Sequence, residues 1–161
     1  MVQLTLPGFE RPAKRTFKAQ RFRAVYVREN DDLQRITVDT TDSAVRLASQ
    51  YLSSSPIEQL LTIALDNSMQ LMGFEVTTGA TNQCQIVPSA IYRFLLCSYA
   101  SSWVIAHNHP GGTSVPSQAD WDITLKLHRI GKEIGIPLHD HILIPEGGRA
   151  VSMRNLAKWP S

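Results

Sequence analysis

Two imidazoles and a carboxylate stand close together in the stretch His107-Asn108-His109-Pro110, followed after a short loop by Ser117-Gln118-Ala119-Asp120. On a strand, residues two apart face the same side, so His107 and His109 can present both rings to one point. Neutral imidazole and carboxylate oxygen are good zinc donors, binding at about 2.0–2.2 Å. Two histidines, one aspartate and one water make a tetrahedral site with an open position, the arrangement of catalytic rather than structural zinc. The same donor set also holds iron(II). Gly111 and Gly112 let the chain turn after the strand, so the next helix can bring Asp120 back beside the histidines. Each half has a plainer reading. A His-X-His pair alone is weak evidence for a metal, and Ser-X-X-Asp ahead of an apolar helix is a near relative of the capping box. The roles are compatible, with Ser117 starting the helix while Asp120 turns inward. The combination, after an apolar strand, is what makes the pattern specific.

The elements that must position these residues can be read from periodicity and turn chemistry. Residues 1–20 carry Pro7, Gly8 and Pro12 and read as a flexible basic tail ahead of a single domain over 21–161. Arg21 to Val38 alternates like a hairpin around Asn30-Asp31-Asp32. Asp42 can cap a helix running to about Tyr51. Gln59 to Asp66 and Gln70 to Thr77 read as two strands joined at Asn67-Ser68, with a third short strand near Gln85 to Val87. Pro88 suits the start of a helix carrying Ile91, Phe94, Leu95 and Tyr99. Trp103 to Ala106 is a short apolar strand leading into the histidines. Ser117 to about Gly135 is helical, with Ile123, Leu125, Leu127, Ile130 and Ile134 on or near its buried side. Pro137 to Ile144 and Ala150 to Met153 complete a sheet. Strands alternating with helices indicate an α/β or mixed α+β layered fold.

Composition narrows the class. A chain of 161 residues suits one domain with a real core. Its net charge of +2 is too mild to argue nucleic-acid binding by itself. Arg11, Lys14, Arg15, Lys18, Arg21 and Arg23 nevertheless form a basic run with no acidic residue among them, which is either a solvated tail or a phosphate-contacting arm. Cys84 and Cys97 are too few and too isolated for a disulfide scaffold or a zinc-type pair, so a reducing cytoplasm is expected. No stretch approaches the roughly 20 apolar residues of a membrane span.

His-X-His, seven intervening residues and Ser-X-X-Asp together resemble the signature of the JAB/MPN (JAMM) metalloproteases. HNHPGGTSVPSQAD, the upstream FEVTTGATNQCQIVP and the downstream LHDHILIPEG resemble the RadC branch in particular, over roughly residues 40–150. HNHPGG departs from the commoner HNHPSG, a loop change expected to be neutral. RadC proteins often carry a helix-hairpin-helix module ahead of this domain, and residues 1–40 do not read as one.

The resemblance implies a three-layer α-β-α fold with a central mixed sheet, similar to the cytidine-deaminase fold. It implies zinc on His107, His109 and Asp120, and a catalytic glutamate on an upstream strand, best matched by Glu75, with Glu58 as the fallback. It also implies Ser117 as an oxyanion donor. The implied activity is hydrolysis of a peptide or isopeptide amide, the latter to a ubiquitin-like modifier. A DNA-repair or mobile-element role is the alternative, with the basic run as its main support. A nucleobase deaminase is disfavoured because the paired cysteines of those enzymes are missing. His139-Asp140-His141, a second His-X-His, reads as a support or structural pair rather than a separate metal site. His128 reads as exposed, Cys97 as small apolar packing, and Trp103, Trp121 and Trp159 as core or interface anchors.

Overall fold

A computed structural model describes residues 36–78 and 86–160. The basic run, the turn of the expected hairpin, Cys84 and Gln85 lie outside the described residues. Thr41–Leu52 form α1, whose buried residues Ala44, Leu47, Ala48 and Leu52 recur at helical spacing. Thr40 rather than Asp42 caps it. The Thr40 hydroxyl accepts from the Ser43 amide and the Ser43 hydroxyl oxygen accepts from the Thr40 amide. Asp42 lies within the first turn, where a carboxylate complements the helix dipole.

Strands β1 (Gln59–Leu65) and β2 (Leu71–Thr78) pair antiparallel. Asp66 closes their turn by accepting from the amides of Ser68 and Gln70. The strand expected near Gln85–Val87 is not formed by Ile86 and Val87, which run irregularly into α2 (Pro88–Cys97). Tyr99 is not on that helix. It follows the last turn in a left-handed conformation (φ 55°), with its ring exposed. Cys97 is exposed too, contrary to the packing role expected of it: it lies about 200° round the helix from buried Leu95.

The remaining elements are β3 (Ser102–His109), α3 (Gln118–Ile134), β4 (Leu138–Pro145), β5 (Val151–Ser152) and a 3₁₀ turn at Met153–Asn155. Among the described residues they make a five-stranded mixed sheet in the order β2-β1-β3-β4-β5. Only β3 and β4 are parallel, and α3 is the crossover such a pair requires. The chain is thus mixed α/β in three layers. On one face α1 packs with Leu61, Ile63, Val104 and Ile142. On the other, α2 and α3 cover Leu60, Trp103, Ile105 and Leu138 through Ile91, Leu95 and Leu127. The central strands β1 and β3 are buried on both faces, so they read as continuous apolar runs.

The buried stripe of α3 is Trp121, Thr124, Leu127 and Gly131. Leu125 and Ile134 are exposed, against expectation, because the stripe includes a threonine and a glycine that hydropathy does not mark. Gly131 is required there, since a Cβ would meet the Ile136 carbonyl oxygen at 2.5 Å. His128 is half-buried rather than exposed and meets Trp159 edge to face at 5.9 Å. Trp103 and Trp121 are buried, as expected of core anchors. Among the described residues, no helix is long and apolar enough to cross a membrane.

Candidate metal centre

β3 continues three residues beyond the apolar run and carries both histidines within the ladder. His107 pairs with Leu60 of β1 and Leu143 of β4; His109 pairs with Pro145. Alternation puts both rings on the α2/α3 face, with Ile105 and Trp103, and turns Asn108 to the other. Asn108 is buried and fully engaged. Its carbonyl accepts from the Gln59 amide at 2.7 Å, and its amide group donates to the carbonyls of Ser55 and Ile57. The residue between the histidines therefore locks the end of β3 to the loop that enters β1.

The turn after β3 returns the chain to the start of α3, where Ser117 and Asp120 form a capping box. The Asp120 amide donates to Ser117 Oγ at 3.2 Å, and Asp120 Oδ2 accepts from the Ser117 amide and hydroxyl, each at 2.7 Å. This uses only part of the carboxylate. Oδ1 lies 3.3 Å from His107 Nε2, and Oδ2 lies 3.7 Å from His109 Nε2. Capping and an inward-turned carboxylate thus coexist.

His107, His109 and Asp120 each offer a ligand atom, and these atoms lie within 4.8 Å of one another. The donors suit a divalent ion. The Nε2 atoms of the histidines are 2.8 Å apart. His109 Nδ1 lies 2.9 Å from the Thr113 carbonyl oxygen, which can only accept, so the ring hydrogen sits on Nδ1 and Nε2 carries its lone pair. Burial pushes the Asp120 carboxyl up, but the contacts of His107 and the hydrogen bonds from Ser117 outweigh it and hold the group well below the usual carboxylate range. The acid is therefore ionised at neutral pH, as a ligand must be. Two nitrogens and a carboxylate leave a coordination position open.

His107 Nδ1 lies 2.7 Å from His141 Nε2, and His141 Nδ1 lies 2.6 Å from Thr124 Oγ1, which also donates to the Asp120 carbonyl. His141 reaches this face because of an irregularity in the parallel ladder. Trp103 pairs with Leu138 but Val104 pairs with Asp140, leaving His139 as an extra residue. That extra residue turns Asp140 and Ile142 to the α1 face and His141 to the metal face. Asp140 is used structurally: it accepts from the Ser152 hydroxyl and from the amides of His141 and Arg154. The support role expected of the second His-X-His thus divides between Asp140 and His141. Thr124 was not anticipated, although its place four residues after Asp120 puts it on the same side of α3.

Glu75 is not drawn into the cluster. It lies on β2, opposite Thr62 of β1, which is in turn opposite Ile105 of β3. This register places Glu75 on the same face as His107 and His109, exposed, and two strands away. Glu58, the residue before β1, is half-buried and stands two residues ahead of Leu60, the partner of His107, at the end of the strand pair that carries the histidines.

A model of the RadC-like JAB domain matches residues 38–158, which include every residue of the centre just described. The chain belongs to this family. Its RadC-like JAB domain is similar to proteins carrying the name UPF0758. That of Finegoldia magna is 28% identical over 119 residues, covering 73% of this chain and 53% of the relative. That of Microcystis aeruginosa is 32% identical over 115 residues, covering 71% and 47%. That of Clostridium perfringens is 31% identical over 124 residues, covering 76% and 54%. The chain spans about half the length of these curated relatives. The RadC-like JAB assignment makes hydrolysis a possible activity of a chain whose histidine–aspartate group can hold a metal ion.

Proposed function

We propose that the protein is a zinc-dependent hydrolase of the JAMM type, cleaving a peptide or isopeptide amide bond. The observation that carries this reading is the convergence of His107, His109 and Asp120 within 4.8 Å, with a ligand position left open and Glu75 on the same face of the sheet. Zinc held there supplies Lewis acidity and lowers the pKa of its water towards about 7. Glu75 takes the proton from the attacking water and passes it to the leaving amine. It stands two strands, about 10 Å, from the strand that carries the histidines, so the step requires its side chain to reach across Thr62 towards the bound water. Ser117 turns its hydroxyl from Asp120 Oδ2 to the oxyanion of the tetrahedral intermediate. The substrate is an extended polypeptide or a ubiquitin-like conjugate, and the compartment is the cytoplasm.

Elemental analysis tests the centre. We expect about one zinc per chain in the wild type and none in His109→Ala or Asp120→Ala, with circular dichroism unchanged. A panel of peptide and isopeptide substrates then tests the chemistry. Glu75→Gln should keep its zinc and lose about 10²–10⁴-fold in rate; an undiminished rate with zinc bound would remove Glu75 from the mechanism. DNA contact is the second reading, carried by the six cations from Arg11 to Arg23 without an acidic residue among them. It predicts salt-sensitive DNA binding that disappears when residues 1–23 are deleted; no binding at low salt defeats it.

A further inference from the structure

We propose that Thr62 is the positioning residue for Glu75, holding its carboxylate by a hydrogen bond as it reaches over β1 towards the metal centre; the inference rests on the general-base reading above. It starts from a hydroxyl that the fold leaves unused. Thr62 is 0% exposed, and its Oγ1 has no hydrogen-bond partner among the described residues. A buried hydroxyl without a partner is destabilising, and valine in its place would fill nearly the same space without that cost. The rest of β1 shows what packing alone asks for: Leu60, Leu61, Ile63, Ala64 and Leu65 are all buried and apolar. A polar side chain kept within such a run calls for a partner that the resting fold does not supply.

The neighbours of Thr62 identify that partner. It stands opposite Glu75 of β2 on one side and Ile105 of β3 on the other. Ile105 has no polar side-chain atom, whereas an ionised Glu75 offers two oxygens that only accept. In a directly opposed pair the Cβ atoms lie about 4.5–5.5 Å apart, within reach of a long side chain. Thr62 is also on the required face. It alternates with Leu60 and Ala64, which pack with α2 and α3, and Leu60 is the β1 partner of His107. The β1 floor beside Glu75 is therefore Leu60, Thr62 and Ala64, of which only Thr62 can donate a hydrogen bond from its side chain. A carboxylate that leaves water to cross an aliphatic floor loses hydration, and a donor beneath its path offsets part of that loss. The Thr62 hydroxyl donates to one carboxylate oxygen and leaves the other for the attacking water. Thr62 keeps its own proton throughout; the proton that moves is the water's.

The test uses the full, zinc-loaded chain and the panel of peptide and isopeptide substrates above. Thr62→Val removes the hydroxyl and keeps the bulk. It should retain its zinc and its KM, and lose about 10–100-fold in kcat. Thr62→Ser, which keeps a hydroxyl, should stay within a few-fold of wild type. Adding Thr62→Val to Glu75→Gln should cost nothing further, because a positioning residue acts only through its partner. Urea unfolding gives a reading independent of activity. Thr62→Val should unfold at or above the wild-type midpoint, since no hydrogen bond is lost in the resting fold. Wild-type kcat in a folded Thr62→Val protein overturns the assignment and leaves Glu75 as the base. A further loss in the Glu75→Gln background overturns it too, as does a lowered urea midpoint, which would show the hydroxyl already paired. A full rate in Glu75→Gln, or no cleavage of any substrate by the wild type, overturns the general-base reading and this assignment with it.

Discussion

At the scale of single residues, the group that can hold a metal ion was the most legible part of the molecule and its supports the least. The candidate group is set locally: two histidines alternate on one strand, and an aspartate sits at a fixed place in a capping box. Supports are set by partners far along the chain. Asn108 illustrates this, because nothing in its neighbourhood says that it holds the Gln59 amide and the carbonyls of Ser55 and Ile57. Removing it leaves three polar groups unpaired around a buried position. Asn108→Ala should therefore cost about 2–3 kcal/mol of stability, with urea unfolding as the measure. Its zinc content at low temperature should stay near that of wild type, because the ligand side chains lie on the opposite face.

At the scale of elements, helices and strands came from the sequence with their boundaries shifted by local chemistry. Thr40 displaced Asp42 as a cap because its hydroxyl and Ser43 satisfy each other's amides. β3 ran on through the histidines because β1 and β4 both pair with it to that point. The buried face of α3 was misjudged through Thr124 and Gly131, which carry little hydropathy signal but fit where bulk cannot. Gly131→Ala sets two effects against each other. Alanine favours a helix by about 1 kcal/mol. Overpacking against a backbone oxygen, which cannot rotate away, costs about 3 kcal/mol. The clash should win, with a net loss of about 2 kcal/mol in chemical denaturation; a stabilised variant would mean that the α3–β4 turn relaxes easily.

At the scale of the whole molecule, the layered mixed α/β class followed from the alternation of elements, but the face that each residue takes in β4 did not. Periodicity cannot show the extra residue at His139, and without it His141 would fall on the wrong side. The buried histidines also give the fold a pH dependence. Burial lowers the pKa of His141 well below 6.5, and burial together with nearby cations lowers those of His128 and His139. Below the unfolded value of about 6.5 the unfolded chain takes up protons that the folded chain refuses. Stability is thus fully present above that value and falls as the pH drops through it. His141 alone contributes a slope of up to about 1.4 kcal/mol per pH unit while it stays neutral in the fold. Thermal unfolding of chelator-treated protein between pH 7.5 and pH 5 should show the decline, and His141→Gln should flatten it.

The extra residue in β4 also governs which changes of chain length this architecture can accept. Losing His139 would leave Leu138 opposite Trp103 and Asp140 opposite Val104, so every side chain beyond would keep its face. Losing Asp140 would instead put His139 opposite Val104 and leave the later faces unchanged, but it would remove the carboxylate that holds Ser152 and the amides of His141 and Arg154. A one-residue deletion in this stretch is therefore absorbed by the register, and its cost depends on which side chain is lost. Among relatives of this chain, a strand one residue shorter here should still carry a carboxylate in the place of Asp140 and a histidine in the place of His141.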